Sequence, residues 1–213
     1  MSKGKFVVFE GMDGSGKTTI IKKLKEYLES KNRLDDFVFT REPGSSHSKE
    51  AEEIRQLILD NDNSFSVMVD ALLFAASRRL NLEKCVWPGL AKNKTVISDR
   101  YWTSSFVYQG VLGGLGLKKV KDINNIATEE TTPDLTIFFD MEPELSVERI
   151  TQIRKTKTDR LESTNVEYYK KLRDSYWYVI NQGNEKYEII KSDCNIDELF
   201  KRVLNVLKKN KII

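Results

Sequence analysis

The chain predicts an α/β fold built on a mainly parallel sheet, and three observations carry that expectation. Short apolar runs alternate with stretches of helical periodicity along the whole chain. The first of them, "KFVVFE", passes through the glycine-rich "GMDGSGKT" of residues 11–18 into a helix-like segment. A later run, "KTVISD", ends in an acid, as a strand beside the first would in a phosphate-binding sheet.

The elements follow in order. "KFVVFE" is the first strand and "TTIIKKLKEYLES" its helix, with Ile20, Ile21, Leu24 and Leu28 on one face. "DDFVFT" is a second strand closed by the "REPGSS" loop. "KEAEEIRQLILD" and "SVMVDALLFAASRRLNLEKCVW" are helices, and "KTVISD" is the third strand. "DLTIFFD" is the fourth, and "PELSVERITQIRK" a helix with Pro143 in its first turn. "NVEYYKKLRDSYWYVINQ" is a further helix, "YEIIK" the last strand and "IDELFKRVLNVLKK" the closing helix. "QGVLGGLG" and "RKTKTDRLES" are expected as loops and as moving parts.

With 213 residues the chain fits one domain, and with 39% hydrophobic and 31% charged residues it suits a soluble protein. No apolar run approaches the roughly eighteen residues of a membrane span. The start carries no cleavage-site pattern, so a cytoplasmic location is expected and no membrane partner. Cys85 and Cys194 match no metal-ligand spacing and are expected to be free thiols. A net charge of +3 gives no reason to infer nucleic acid and agrees with anionic ligands.

"GMDGSGKT" fits the phosphate-loop pattern, with a strand before it and a helix after. Gly11, Met12, Asp13, Gly14, Ser15, Gly16, Lys17, Thr18 and the following Thr19 would surround nucleotide phosphates with backbone N–H groups and a helix N-terminus. Lys17 would reach the β- and γ-phosphates, while Thr18 and Asp99 would ligate Mg²⁺. Asp99 taken alone is equally an N-cap aspartate after a strand. A guanine-reading N-K-x-D is expected of GTPases, and "NKTV" at 93–96 is not one, which favours ATP.

The helix around "ALLFAASRR" places Val69, Leu72, Leu73, Ala76 and Leu80 within an arc of about 100°, the expected core face. Phe74 and Arg78 project from the other side, one turn apart, as a flat heterocycle's pocket would need. Periodicity alone equally allows a packed aromatic beside a solvated arginine. "DRYWTSSFVYQG" at 99–110 sets Arg100 beside Asp99, where it could take a phosphate bidentately. Tyr101, Trp102, Phe106 and Tyr108 in that stretch also suit helix packing. Arg149, Arg154 and Arg160 lie in a charge run that is a solvated face or, in a phosphoryl-transfer enzyme, a source of arginines that close over the reaction. Tyr169, Leu172, Tyr176 and Val179 follow helical spacing and belong to core or dimer packing.

Six stretches in order, "FEGMDGSGKTT", "TREPGSS", "LLFAASR", "DRYWTSSFVYQG", "PDLTIFFD" and "DRLE", resemble the thymidylate kinases of the bacterial type over essentially the whole chain. The resemblance implies the three-layer P-loop nucleoside-monophosphate kinase fold. In it a five-stranded mainly parallel sheet is flanked by helices, as one domain over 1–213 with a short lid at about 150–162. It implies transfer of the γ-phosphoryl group of ATP, with Mg²⁺, to dTMP, and a homodimer. Phe74 would stack on thymine and Arg78 bond its edge, and Arg100 would hold the dTMP phosphate. Ser104, Ser105, Tyr108 and Gln109 would surround base and sugar, and Asp13 would sit between the two nucleotides. Glu42–Pro43 resembles a dipeptide that is cis in this family and forms part of the acceptor site. Gly14 stands where some members carry a loop arginine, which points to a lid arginine, Arg154 first and Arg149 second. "REPGSS" departs from the family's usual glycine and threonine there. His47 beyond it is expected on the surface, outside the chemistry.

Two rival functions remain open at this stage. A nucleoside kinase, or a kinase for another monophosphate such as dUMP, shares most of these features, and the first would need a carboxylate base, for which Glu10 stands available. A nucleotide-binding regulatory protein would keep the grip and lack turnover.

Overall fold

β1 (Phe6–Gly11) is buried at every residue, so both of its faces need covering. Phe6 and Val8 enter one core with Met12, Tyr101, Phe138 and Leu172. Val7 and Phe9 enter a second with Ile20, Leu24, Ile137, Phe139 and Leu199. The period of two along the strand thus divides the molecule into three layers. This is a computed structural model of the chain, and it describes residues 4–153, 165–183 and 185–213.

α1 (Lys17–Ser30) follows β1, then β2 (Phe37–Arg41), α2 (Lys49–Leu59) and α3 (Val67–Asn81). A wide turn at Leu82–Val86 leads to the short α4 (Trp87–Ala91) and to β3 (Thr95–Asp99). α5 (Trp102–Ser105) runs into a second wide turn, Phe106–Leu112, before α6 (Leu117–Thr128) and β4 (Leu135–Asp140). α7 (Pro143–Ile153), α8 (Val166–Gln182), β5 (Tyr187–Lys191) and α9 (Ile196–Lys209) complete the described chain. The five strands lie in the order β2-β3-β1-β4-β5, and every pairing is parallel. Strand order departs to opposite sides of β1, and a crevice opens there beyond the carboxyl ends of the strands.

α1 and α9 cover the second core with apolar residues at i, i+4 and i+8: Ile20, Leu24 and Leu28 in α1, Leu199, Val203 and Leu207 in α9. Each such side chain contributes about 1.5–3 kcal/mol on full burial. α9 is closed at its start by Asn195, whose side chain accepts from the N–H groups of Asp197 and Glu198. Asp197 and Glu198 in its first turn and Lys208 and Lys209 in its last complement the helix dipole.

Two expectations are corrected. The face of α3 expected in the core is turned outward: Val69 is 40% and Leu72 52% exposed, Ala76 is exposed, and Leu73 and Leu80 are half-buried. Ala71, Ala75 and Arg78 are buried instead. Periodicity located an apolar stripe correctly but not what it faces. The helix packing that "DRYWTSSFVYQG" also suits is observed: the stretch is largely helical, and Tyr101, Trp102 and Phe106 enter the first core. "QGVLGGLG", expected as a loop, is not an open one. Gln109–Leu112 closes the wide turn, and the Gly113 and Gly116 amides donate to the carbonyls of Tyr108 (2.9 Å) and Gly110 (2.9 Å).

Candidate active site

The loop between β1 and α1 is shaped by backbone that side chains rarely adopt. Gly11, Gly14 and Gly16 have φ of 143°, 75° and 93°. A Cβ on Gly11 would lie 2.7 Å from the Phe139 carbonyl, so β4 also demands glycine there. Lys17 opens α1 and is 5% exposed. Its Nζ donates to the carbonyls of Gly11 (2.8 Å) and Met12 (2.9 Å) and to Ser15 Oγ (3.3 Å). Burial, seconded by Arg100, lowers its pKa to about 8.

Parallel pairing sets Phe9 opposite Asp99, and Arg41 opposite Asp99 on the other side. Three strand ends therefore meet the loop at one place. Thr18 donates from Oγ1 to Asp99 Oδ2 at 3.0 Å. Asp99 Oδ1 is buried without a hydrogen-bond partner among the described residues. A carboxylate with an orphaned oxygen beside a threonine hydroxyl is a hard-oxygen pair suited to Mg²⁺.

Arg100 has φ 75°, a left-handed conformation worth about 1–3 kcal/mol of strain in a side-chain-bearing residue. Its amide donates to the Phe9 carbonyl (2.9 Å), and its own carbonyl accepts from Ser98 Oγ (2.8 Å). The guanidinium donates to Asp13 Oδ1 (2.7 Å), Ser104 Oγ (3.0 Å) and the Tyr176 hydroxyl (2.9 Å), and it lies over the Tyr108 ring. Burial works against its charge, yet Tyr176 and Asp13 hold its pKa well above the ordinary value. Burial also raises the phenols of Tyr108 and Tyr168. Glu10 lies behind Arg100, fully buried. It accepts from the amides of Tyr101 (2.9 Å) and Ser104 (3.1 Å), from Ser104 Oγ (2.7 Å) and from Tyr176 (3.3 Å).

A second buried network backs the opposite wall. Arg78, 1% exposed, donates from Nε to Glu42 Oε2 at 2.7 Å, from both terminal nitrogens to Ser105 Oγ (3.2 Å each), and to Asn124. Asn81 donates to Glu42 Oε1 (3.1 Å). Burial raises the pKa of Glu42, against the pull of Arg78. The Glu42–Pro43 bond is cis.

The cleft between these groups has a volume of about 510 Å³. Asp13, Gly14, Gly16, Lys17, Thr18, Thr19, Arg41, Glu42, Arg55, Asp99, Arg100 and Ile150 line it. Of the expected acceptor residues, Asp13, Glu42 and Arg100 stand on this wall. Arg78, Ser104, Ser105 and Tyr108 lie behind it, joined to it by the bonds and ring contact above. Gln109 is 4% exposed, with Oε1 lacking a partner among the described residues, and Phe74 is half-buried on α3. Arg149 donates to the carbonyls of Ser192 (3.1 Å) and Cys194 (3.1 Å), on the turn after β5. Arg154 and Arg160 lie outside the described residues. His47 is exposed, its Nε2 3.2 Å from the Phe39 carbonyl. Arg41, Arg55 and Tyr176 were missed as site residues. Arg41 stands inside the quoted "TREPGSS", and Tyr176 was assigned to packing alone.

The family model described as thymidylate kinase matches residues 9–203. The chain is 43% identical over 206 residues to a protein of Mycoplasma mobile named thymidylate kinase, covering 96% of this chain and 98% of that one. It is 42% identical to the Mycoplasmopsis agalactiae thymidylate kinase, covering 97% and 95%, and 40% identical to that of Ligilactobacillus salivarius, covering 96% and 98%.

Proposed function

The chain belongs to the thymidylate kinase family, and from that premise we propose how its residues phosphorylate dTMP to dTDP at the expense of ATP. The observation that carries the reading is the meeting of Lys17, Asp99 and Arg100 on one cleft wall. The loop Gly11–Thr19 holds the ATP phosphates on backbone N–H groups, and Lys17 exchanges its carbonyl partners for phosphate oxygens. Thr18 and Asp99 hold Mg²⁺, which when bound neutralises phosphate charge.

Arg100 holds the dTMP phosphate, and Asp13 fixes Arg100 between the two nucleotides. One phosphate oxygen of dTMP attacks the γ-phosphorus in line as the bond to the β-phosphate oxygen breaks, leaving ADP. The nucleophile is already an anion at neutral pH, so positioning and charge neutralisation suffice without a strong base. Glu10, closed in by four hydrogen bonds, has no call to act as one, which sets the nucleoside-kinase reading aside. Arg78 and Ser105 meet the thymine edge through the buried network behind Glu42, with Phe74 against the ring and Tyr108 and Gln109 beside the sugar and base. Arg149, bound to the turn after β5, faces the adenine end. The chain is read as a single domain, and the lid charge expected of Arg154 falls outside the described residues.

A homodimer through α3 accounts for the outward apolar stripe of Met68, Val69 and Leu72. No described helix is long and apolar enough to cross a membrane. The free thiols Cys85 and Cys194 suit a reducing cytoplasm.

A coupled assay over nucleosides and nucleoside monophosphates tests the reading. dTMP is expected to be the preferred acceptor with ATP, and Lys17→Ala to remove nearly all turnover. Preference for thymidine over dTMP overturns it.

A further inference from the structure

We propose that Glu10 is a positioning residue for Arg100: it draws the protons of the Ser104 and Tyr176 hydroxyls and so turns their lone pairs toward the guanidinium. This role rests on the reading that Arg100 holds the acceptor's phosphate. It employs a buried carboxylate that the reaction itself does not use.

The period of two along β1 puts Glu10 on the same face as Phe6 and Val8, the face of the first core. A carboxylate with no exposure on such a face is strongly unfavourable unless its lone pairs are used. Oε1 accepts from the amides of Tyr101 (2.9 Å) and Ser104 (3.1 Å). Oε2 accepts from Ser104 Oγ (2.7 Å) and the Tyr176 hydroxyl (3.3 Å), and Arg100 Nη1 stands 3.9 Å from it.

The bonds to Oε1 hold backbone. The peptide unit after Arg100 is pinned at both ends, its carbonyl by Ser98 Oγ and its N–H by Glu10. That pinning secures the left-handed φ of 75° at Arg100.

The bonds to Oε2 set direction. A hydroxyl has one proton to give, a guanidinium only donates, and a carboxylate only accepts. Arg100 Nη1 donates to both Ser104 Oγ (3.0 Å) and the Tyr176 hydroxyl (2.9 Å), so neither hydroxyl can aim its proton there. Glu10 Oε2 receives the proton of Ser104. That of Tyr176 has Oε2, Ser104 Oγ (3.1 Å) and the Gly11 carbonyl (3.5 Å) as acceptors. Phe138, opposite Glu10 in the strand register, stacks on the Tyr176 ring at 5.1 Å and fixes it. With Asp13 accepting from Nη2 at 2.7 Å, the Arg100 fork is held at both terminal nitrogens.

Glu10→Gln tests this role, because it keeps the shape and changes only which atoms donate. An amide NH2 beside the hydroxyls turns their protons toward the guanidinium. Placed beside the two backbone N–H groups instead, it meets donors that cannot turn. For dTMP, kcat/KM is expected to fall about tenfold to a hundredfold, as loss of hydrogen bonds to a charged group implies. The KM for ATP should stay within about twofold, as should the inhibition constant of thymidine, which presents the same base and sugar without phosphate. In a background of Ser104→Ala with Tyr176→Phe, no hydroxyl is left to misdirect, and Glu10→Gln should lose about threefold or less. Equal fold-losses in the two backgrounds overturn the proposal. So does a thymidine inhibition constant that rises in step with the loss for dTMP, which would mark a general structural effect. If the Glu10 variants are too unstable to assay, Tyr176→Phe carries the test by calorimetric titration. It must weaken dTMP by about threefold or more with thymidine unchanged, and dTMP binding at wild-type strength overturns the role. A wild-type protein that leaves dTMP unphosphorylated would instead sink the underlying reading.

Discussion

An ammonium buried to 5% exposure among two carbonyls and a hydroxyl is poised to change partners. Lys17 keeps its proton only to about pH 8 in the ligand-free protein, mainly through burial, whereas an unfolded lysine keeps it to about 10.5. Between those values the unfolded chain binds more protons, so this group's contribution to ligand-free stability rises with pH. ATP binding has the opposite demand, because phosphate oxygens need the charged form. Calorimetry is expected to show ATP affinity falling about tenfold from pH 7 to pH 9, with proton uptake on binding at the higher pH. A flat profile would assign the phosphate contact elsewhere. Lys17, Asp99 and Arg100 were legible in the sequence because a glycine-rich turn and a strand end fix their places locally. Arg41, Arg55 and Tyr176 were not, since their roles depend on which strand lies beside which and on a helix distant in sequence. Tyr176 obeys the packing pattern and still spends its hydroxyl on Arg100 and Glu10. Periodicity registers the ring and is silent on the oxygen.

At the scale of elements, α3 shows what a helical pattern can and cannot tell. Its stripe at Val69, Leu72 and Ala76 has the spacing of a core face, yet it lies outward, with Leu57 of α2 (42% exposed) and Ile126 of α6 (80% exposed) as further outward apolar residues. Spacing reports that a face wants covering and does not say by what. The inward side of the same helix is unusually polar for a buried surface, because Ser77, Arg78 and Asn81 serve the acceptor network. A sequence rule that sends apolar residues inward therefore inverts the helix. If a second copy covers the stripe, Leu72→Glu should convert a dimer to a monomer in sedimentation velocity. Far-UV circular dichroism should remain native and turnover should fall at least severalfold, since α3 also carries Arg78. A wild-type protein that sediments as a monomer at tens of micromolar would refute the dimer.

For the whole molecule, the question is whether two cores separated by a sheet behave as one. Trp102 is buried in the core on one face, with Trp87 and Trp177 packed against it. The core beneath α1 and α9 contains none of the three. Tryptophan fluorescence therefore reports one face, while far-UV circular dichroism reports both. The strands are shared: Phe6 and Val8 face one core and Val7 and Phe9 the other, so neither can be lost while β1 keeps its place. Thermal unfolding followed by the two signals should give coincident midpoints, as a cooperative unit requires. The cleft opens at the carboxyl ends of those shared strands, so its ligands act on both cores. dTMP at about a hundred times its dissociation constant should add about 2.7 kcal/mol. That moves both midpoints up together by roughly 5–10 °C for a chain of this size. A fluorescence midpoint that rises with dTMP while the circular dichroism midpoint stays behind would mean that the face carrying α1 and α9 unfolds separately, and that the nucleotide site is built on half of the sheet.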